Sequence, residues 1–396
     1  MKKEYDVIIS GGGPSGSLLG LLLAKNNIKT LIIEKEKFPR FKICAGGIQY
    51  RTSKLLPINI NSVIENTIYG ICFSIKTKDV FIKKYSDPIM FTVERGKFDM
   101  LLVNNAKKSG CCVNFCEKVK DYENGNNRIK VITNKDEYLT KILVGADGAR
   151  GIVHRSLVKK GSFKRILSYL VEVDMVTVEK YAEGVENRHE RKQKDFMIEK
   201  GYKYSDYIRL DFNGVKKGYA WVFPKKEVLS CGIGVPINKA KTMKEYFRVF
   251  LSSLNLSDHL SNSYRIYAQC IPIRNENTPI CNYRVLNIGD AACLGDGFTG
   301  EGLYNSLKSA IFAVDSIKNC LKTSNYYFKD YRERMEGDIF KDIKMSLLFS
   351  KVFYMAPLFF YRIIKKNDNA FNTCCRILRG EKSYKDIASK LKFMGY

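Results

Sequence analysis

Glycines and carboxylates, rather than histidines, mark where chemistry can sit in this chain. Gly11, Gly13 and Gly16 form G-x-G-x-x-G, and Glu34 follows one helix and one strand later. In such a pattern the first glycine permits a tight turn, the second lets the backbone approach a pyrophosphate, and the third lets helix and strand pack closely. Amides at the helix N-terminus then face phosphates, and the acid can accept both ribose hydroxyl protons. Two more acids end apolar runs: Asp147 in Ala146-Asp147-Gly148 and Asp290 in Gly289-Asp290, the latter followed by the glycine-rich stretch Gly295 to Gly302. The three histidines, His154, His189 and His259, form no H-x-x-x-H, and no C-x-x-C occurs. Neither a metal site nor a histidine-based hydrolase is expected.

These residues need particular elements to hold them. Tyr5 to Ser10 reads as a buried strand, Leu18 to Ala24 as a helical apolar run, and Thr30 to Ile33 as a second strand closed by Glu34, which makes a β-α-β unit for an adenine dinucleotide. Short apolar runs between Ser62 and Phe91 predict inserted strands. Val93 to Asp99 leads into a helix over Met100 to Lys108, and a hairpin-rich crossover follows around the polar turn Glu123 to Asn127. Ile142 to Gly145 and Val285 to Ile288 read as strands delivering Asp147 and Asp290, with a helix from Leu303 to Ile317. A nicotinamide dehydrogenase needs only the first fingerprint. Burying a whole flavin dinucleotide needs more, including a carboxylate for the ribityl chain and helix-terminal amides at the pyrimidine end of the flavin.

Tyr219, Trp221 and Phe223 alternate with Ala220 and Val222, so one face of a strand carries three aromatics before Pro224 ends it. Ordinary sheet packing and an aromatic wall guiding an apolar chain are both open readings. The expected class is α/β (α+β): a Rossmann-like dinucleotide-binding domain over 1–160 with small inserted strands near 62–92, an antiparallel β-sheet substrate domain over 161–280, a return to the first domain over 281–319, and a helical C-terminal region over 320–396.

The chain has 396 residues and a formal net charge of +26, which favours an anionic partner or reflects a lysine-rich source proteome. Twelve irregularly spaced cysteines, with no secretory signal ahead of the first strand, point to free thiols in a reducing cytoplasm. Cys111, Cys112 and Cys116 read as small buried apolar residues rather than ligands. Met345 to Ile364 is rich in Leu, Phe, Tyr and Met but is interrupted by Lys351, Pro357 and Arg362, so it predicts either a helix pair packed on the substrate domain or an interfacial segment with Lys365 and Lys366 on headgroups.

Taken together, Gly11 to Gly16 with Glu34, Ala146-Asp147-Gly148, and Gly289-Asp290 with its glycine loop resemble the FAD-dependent oxidoreductases of the p-hydroxybenzoate hydroxylase-type fold. Two further stretches narrow the resemblance to the geranylgeranyl reductase family. Phe38-Pro39-Arg40-Phe41-Lys42-Ile43-Cys44-Ala45-Gly46-Gly47 is similar to its P-R-x-K-x-C-G-G-G signature, with Ala45 in place of the first glycine, and Gly218 to Pro224 is similar to its Y-x-W-x-F-P signature. The resemblance extends to Gly380-Glu381-Lys382-Ser383-Tyr384, which would open a final short helix.

The resemblance implies FAD with its adenosine on Glu34 and Arg95, its pyrophosphate over Gly11 to Gly16 (Pro14 and Ser15 included), and its ribityl hydroxyls near Asp290. Gly300, Glu301 and Gly302 would open the last helix under flavin N1 and O2, where positive helix ends stabilise anionic reduced flavin. It adds Lys35, Val119, Asp147, Gly148 and Gly289 to the cofactor set. Cys44, Gly46 and Gly47 would lie at the catalytic centre, with a redox-sensitive Cys44–Cys293 pair as a hypothesis, and Tyr219, Trp221, Phe223 and Pro224 would bind substrate. The implied reaction saturates isoprenoid double bonds, on a digeranylgeranylglycerophospholipid or on the prenyl tail of a menaquinone or chlorophyll precursor. NAD(P)H or ferredoxin would supply electrons, at a cytoplasmic site in peripheral contact with membrane. A flavin monooxygenase or halogenase is the alternative enzyme class. A non-enzymatic basic module binding nucleic acid or membrane rests on net charge alone, and nucleic acid is not an expected partner.

Overall fold

The computed structural model describes residues 3–174, 206–254, 256, 265–384 and 386. His189, His259 and all but the first residues of the expected final short helix lie outside them. Among the described residues the chain forms three sheets. In the first, five parallel strands run in the order Val285–Asn287, Glu137–Gly145, Lys3–Ser10, Thr30–Ile33, Cys112–Asn114. The hairpin Val119–Asn124 and Ile129–Thr133 extends from Glu137–Gly145, and the short strand Cys281–Asn282 closes one edge.

Register decides where the motifs go. Ser10 pairs with both Ile33 and Gly145, and Gly145 pairs with Asn287. Four strands therefore end level, and the chain leaves them at Gly11, Glu34, Ala146-Asp147 and Ile288-Gly289-Asp290. Ligands of open parallel sheets bind at this carboxyl edge. The helix Pro14–Lys25 packs on the sheet between the helices Arg95–Lys108 and Leu303–Thr323, and their apolar faces make one core with Val7, Ile9, Ile32, Ile142 and Leu286. These strand residues have lost all contact with water. Their near-continuous Val/Ile/Leu content is what a sheet covered on both faces requires.

The second sheet has seven strands in the order Tyr267–Arg274, Phe163–Asp174, Val228–Pro236, Tyr219–Pro224, Tyr207–Phe212, Gly70–Ile75, Lys78–Lys84. Its pairings are antiparallel except that of Tyr207–Phe212 with Gly70–Ile75. Strand alternation sorts its side chains: Ala220 and Val222 pack under the helix Met243–Ser252, while Tyr219, Trp221 and Phe223 face the other way. A third sheet, of Gly47–Gln49, Met90–Val93 and Ile64–Ile68, joins the other two, and Thr92 Oγ1 donates to the Pro224 carbonyl at 2.6 Å.

The C-terminal region is helical: Lys329–Gly337, Ile339–Met355, Pro357–Lys366 and Asp368–Arg379 follow the long helix Leu303–Thr323. No single helix among the described residues is long and apolar enough to cross a membrane. One expectation needs correcting here. Only Cys111 of the cysteine cluster is buried, whereas Cys112 and Cys116 are exposed, because the strand Cys112–Asn114 lies at the sheet's edge and the chain turns away before Cys116.

Candidate active site

A cavity of about 1230 Å³ opens between the carboxyl edge of the first sheet and the aromatic face of the second. Its first wall is the glycine turn. Gly11 has φ +106°, and a Cβ there would sit 2.4 Å from the Ala146 carbonyl oxygen, so a side chain would push the two strands apart. Gly13, Pro14 and Ser15 line the cavity at the start of the helix Pro14–Lys25, whose N-terminus carries no side-chain cap and no acid in its first turn. Its free amides are an anion site. Gly16 stands behind, against Gly11.

Glu34 is 5% exposed and is fixed by two backbone donors, Gly12 N to Oε2 at 2.7 Å and Glu36 N to Oε1 at 2.9 Å. Each oxygen keeps a lone pair for a diol. Lys35 and Val119 line the same end of the cavity.

Arg95 also lines the cavity, and its guanidinium is clamped by Asp99, Nε to Oδ1 at 2.9 Å and Nη2 to Oδ2 at 3.1 Å. Arg40 makes a second ion pair with the same carboxylate at 3.0 Å. Burial works against the charge on Arg95, but Asp99 and the neighbouring Cys44 thiol overcome it and hold its pKa above the ordinary guanidinium value. Cys44 accepts from Gly46 N at 3.4 Å and lines the cavity with Lys42, Ala45 and Gly47, while Gly46 turns behind them. Burial pushes the Lys42 ammonium down, with Arg95 and Arg40 adding to the effect and Asp290 opposing it. The sequence alone did not single out Asp99, and it offered Arg40 only as part of the family signature; the signal for Asp99 was its i, i+4 spacing from Arg95 on one helix.

The hypothesis of a Cys44–Cys293 pair is not met. Both thiols are free, and Cys293 lies in the apolar core beneath the first sheet with Ile8, Leu31 and Val285, where burial pushes it up to about 12. Cys44 stands on the cavity side.

Asp147 and Gly148 line the cavity beside the glycine turn. Asp147 Oδ2 accepts from Val153 N at 2.9 Å, which anchors the helix Ile152–Leu157. Burial raises its pKa from 3.8 to about 6, against the backbone donors that favour its charge. Folding thus favours the protonated acid, so this stabilisation is complete below the unfolded value and lost as pH rises through the folded one. In FAD-free protein, Asp147→Asn is expected to raise the melting temperature over wild type at about pH 7 and to lose that advantage at about pH 4. An advantage equal at both pH values would contradict the assignment. His154, by contrast, is 2% exposed and donates from Nδ1 to the Ala291 carbonyl at 2.8 Å, a bracket between the Asp147 and Asp290 loops rather than a base in the cavity.

At the far end, Asp290 and Gly300 to Gly302 line the cavity, with Gly289 behind. Asp296, which the sequence reading passed over, shapes this loop: its Oδ1 accepts from Phe298 N, Thr299 N and Thr299 Oγ1 at 2.7–2.9 Å. The loop ends at Gly302, and Glu301 Oε1 accepts from Tyr304 N at 2.8 Å in the first turn of Leu303–Thr323. Burial raises the Glu301 carboxyl pKa.

Tyr219, Trp221 and Phe223 form the facing wall with Ile71, Ile208 and Leu210 from neighbouring strands, while Pro224 is buried outside it. Tyr219 donates its hydroxyl to the Thr299 carbonyl, tying the wall to the Asp296 loop. The structure thus brings the glycine turn, Glu34, Arg95, Cys44, Gly47, Asp147, Asp290, Glu301 and the three aromatics around one cavity. Gly16, Gly46, Gly289 and Pro224 support it from behind.

Four buried polar atoms of this lining have no hydrogen-bond partner among the described residues: Arg40 Nη1, Asp147 Oδ1, Trp221 Nε1 and Glu301 Oε2. Buried polar groups are nearly always paired, so these four, of twelve such atoms among the described residues, are ones that a polar ligand could satisfy. With uncapped amides at Gly13 and Ser15, a diol acceptor at Glu34 and a second helix N-terminus at Gly302, the donor set fits FAD along its length.

Comparison with known proteins agrees. Residues 4–200 match the family model described as FAD binding domain. A digeranylgeranylglycerophospholipid reductase of Methanococcus aeolicus is 26% identical over 369 residues, covering 89% of this chain and 87% of that protein. The structure of a geranylgeranyl bacteriochlorophyll reductase-like protein of Thermoplasma acidophilum is similar with a TM-score of 0.73 and 22% identity, over 89% of this chain and 88% of the other. Halogenase PltM shares the fold with a TM-score of 0.68 and 15% identity, over 89% and 76% of the two chains.

Proposed function

The chain is an FAD-dependent oxidoreductase that groups with the geranylgeranyl reductase family, and from that premise we propose that it saturates the isoprenoid double bonds of a prenyl lipid, with a digeranylgeranylglycerophospholipid as substrate. The observation that carries this reading is the shared cavity: the glycine turn and Tyr219, Trp221, Phe223, Ile208 and Leu210 line the same space. An alkene offers no charge and no strong hydrogen-bonding group, so such a substrate is selected by shape and apolar contact, which this wall supplies.

Gly11 to Ser15, Glu34, Asp290 and the Gly300 to Gly302 turn would hold FAD, which when bound and reduced supplies a hydride to the alkene. The protein's own task is positioning and exclusion of water. Tyr219 is held by Thr299, which fixes the aromatic wall relative to the loop that opens the last helix. Cys44 Sγ, beside Arg95 and Lys42 on the cavity lining, is assigned to hold the proton that the second alkene carbon receives. Either NAD(P)H or ferredoxin would serve as the external reductant.

The test is anaerobic. The FAD-loaded protein, reduced with dithionite, is mixed with a digeranylgeranylglycerophospholipid in detergent, and flavin absorbance and product mass are followed. Reoxidation with a gain of two hydrogens for each bond reduced is expected. Reoxidation only on admitting oxygen, with an oxygenated product from another substrate, would move the chain to the monooxygenase class. Cys44→Ser with an unchanged single-turnover rate would remove that thiol from proton transfer.

A further inference from the structure

We propose that the elbow between the helices Ile339–Met355 and Pro357–Lys366 is a membrane-docking surface for an anionic phospholipid bilayer, placed beside the cavity so that an apolar chain passes from lipid to active site. The proposal deepens the prenyl-lipid reading and rests on it for what enters the cavity.

The helical run Lys329–Met355, whose second part is Ile339–Met355, meets Pro357–Lys366 at Ala356 with a bend of 95°. Their inner side is anchored. Phe353 packs on Phe212, Phe298 and Phe360 with ring centroids 5.2–5.7 Å apart, Ser346 Oγ accepts from Gly297 N at 3.0 Å, and Tyr361 donates its hydroxyl to the Asp79 carbonyl. The outer side carries Leu348, Val352 and Met355, at i, i+4 and i+7 of the first helix, then Leu358 and Phe359 of the second. Their exposures are 51, 40, 76, 46 and 59%. Five of the twelve exposed large apolar side chains among the described residues thus fall within twelve positions of the chain. Scattered exposed apolar residues need no explanation, but a concentrated set marks an interaction surface.

Charge argues for lipid as the occupant. Lys351, Arg362 and Lys366 are exposed on the same two helices and enter none of the ion pairs found among the described residues, and the whole chain has a net charge of +26. An apolar ridge flanked by unpaired cations suits an acyl boundary under anionic headgroups. Because its inner side is anchored on Phe212, Phe298 and Asp79, the bent pair is assigned to that boundary rather than to a span across it. Continuity with the site is direct: Leu347, Leu348, Lys351 and Tyr354 of the first helix line the cavity.

Flotation tests the surface separately from the chemistry. FAD-loaded protein is mixed with vesicles of phosphatidylcholine and phosphatidylglycerol, or of phosphatidylcholine alone. Wild type is expected to float with the mixed vesicles and to bind the neutral ones more weakly. Met355→Asp combined with Phe359→Asp, both outside the cavity lining, is expected to lower the bound fraction about tenfold with flavin content unchanged. Ile237→Asp, an exposed apolar residue elsewhere, is expected to bind as wild type. No binding of wild type to anionic vesicles would overturn the proposal. So would equal binding by the double variant, or a wild-type dimer in gel filtration that the double variant abolishes, which would mean that a second copy covers the face. Reduction of detergent-dispersed lipid is read in parallel, so loss of the docking surface and failure of the prenyl-reductase reading give different results.

Discussion

Gly16→Ala is expected to emerge from purification colourless and to rebind FAD roughly ten- to a hundredfold more weakly than wild type. A Cβ at this position would stand 2.1 Å from the Gly11 carbonyl oxygen and 3.1 Å from the Ala146 Cβ. Both neighbours belong to the edge of the parallel sheet, so the helix Pro14–Lys25 must retreat instead. Overpacking of this kind costs about 1–3 kcal/mol, and each 1.4 kcal/mol is roughly tenfold in affinity. The retreat carries the amides of Gly13 and Ser15 away from where the phosphates would bind, which is why the loss falls on cofactor binding. Quenching of FAD fluorescence on titration measures it. A yellow variant with wild-type affinity would show that the helix does not set the phosphate site.

Asp99→Ala is expected to be the most destabilising single change near the cavity, at about 3–5 kcal/mol, the range for breaking a buried ion pair from one side. Asp99 has no exposed surface, and the Arg95 and Arg40 side chains that it pairs are only 11% and 14% exposed. Removal leaves two guanidinium groups facing each other without a counter-charge beside Cys44 and Lys42. Equilibrium urea denaturation of the FAD-free protein reads the loss directly. A change below about 1 kcal/mol, the size of an exposed pair, would show that water already screens the cluster. Because Arg95 and Arg40 lose their common anchor together, the Cys44 to Gly47 loop is expected to shift with them, and FAD affinity should fall in the same variant.

Much of the first domain was legible in the chain. The strand Thr30–Ile33 lies where apolar pattern and Glu34 place it, and Pro14–Lys25 follows the glycine motif, because buried parallel strands and phosphate-binding turns leave little choice of residue. The alternation of Tyr219, Trp221 and Phe223 with Ala220 and Val222 likewise announced a strand with two unlike faces. Other features depended on partners remote in sequence. That Gly70–Ile75 pairs in parallel with Tyr207–Phe212, across more than a hundred residues, follows from no local pattern. The charge cluster around Asp99 needed Arg40 to arrive from a separate loop. Cys44 and Cys293 sit near related motifs, yet the fold leaves the first, on a loop, at the cavity lining and buries the second in the core of the first sheet.

By itself, then, the sequence determined the dinucleotide turn, the acids that end the strands and the aromatic face, since each is set by steric and hydrogen-bonding demands within a few residues. Only the tertiary structure decided that these face one cavity, which cations share a carboxylate, and which side of the C-terminal helices meets solvent. Those outcomes follow from packing and desolvation among segments distant in the chain, where a residue's surroundings, rather than its type, decide what it does.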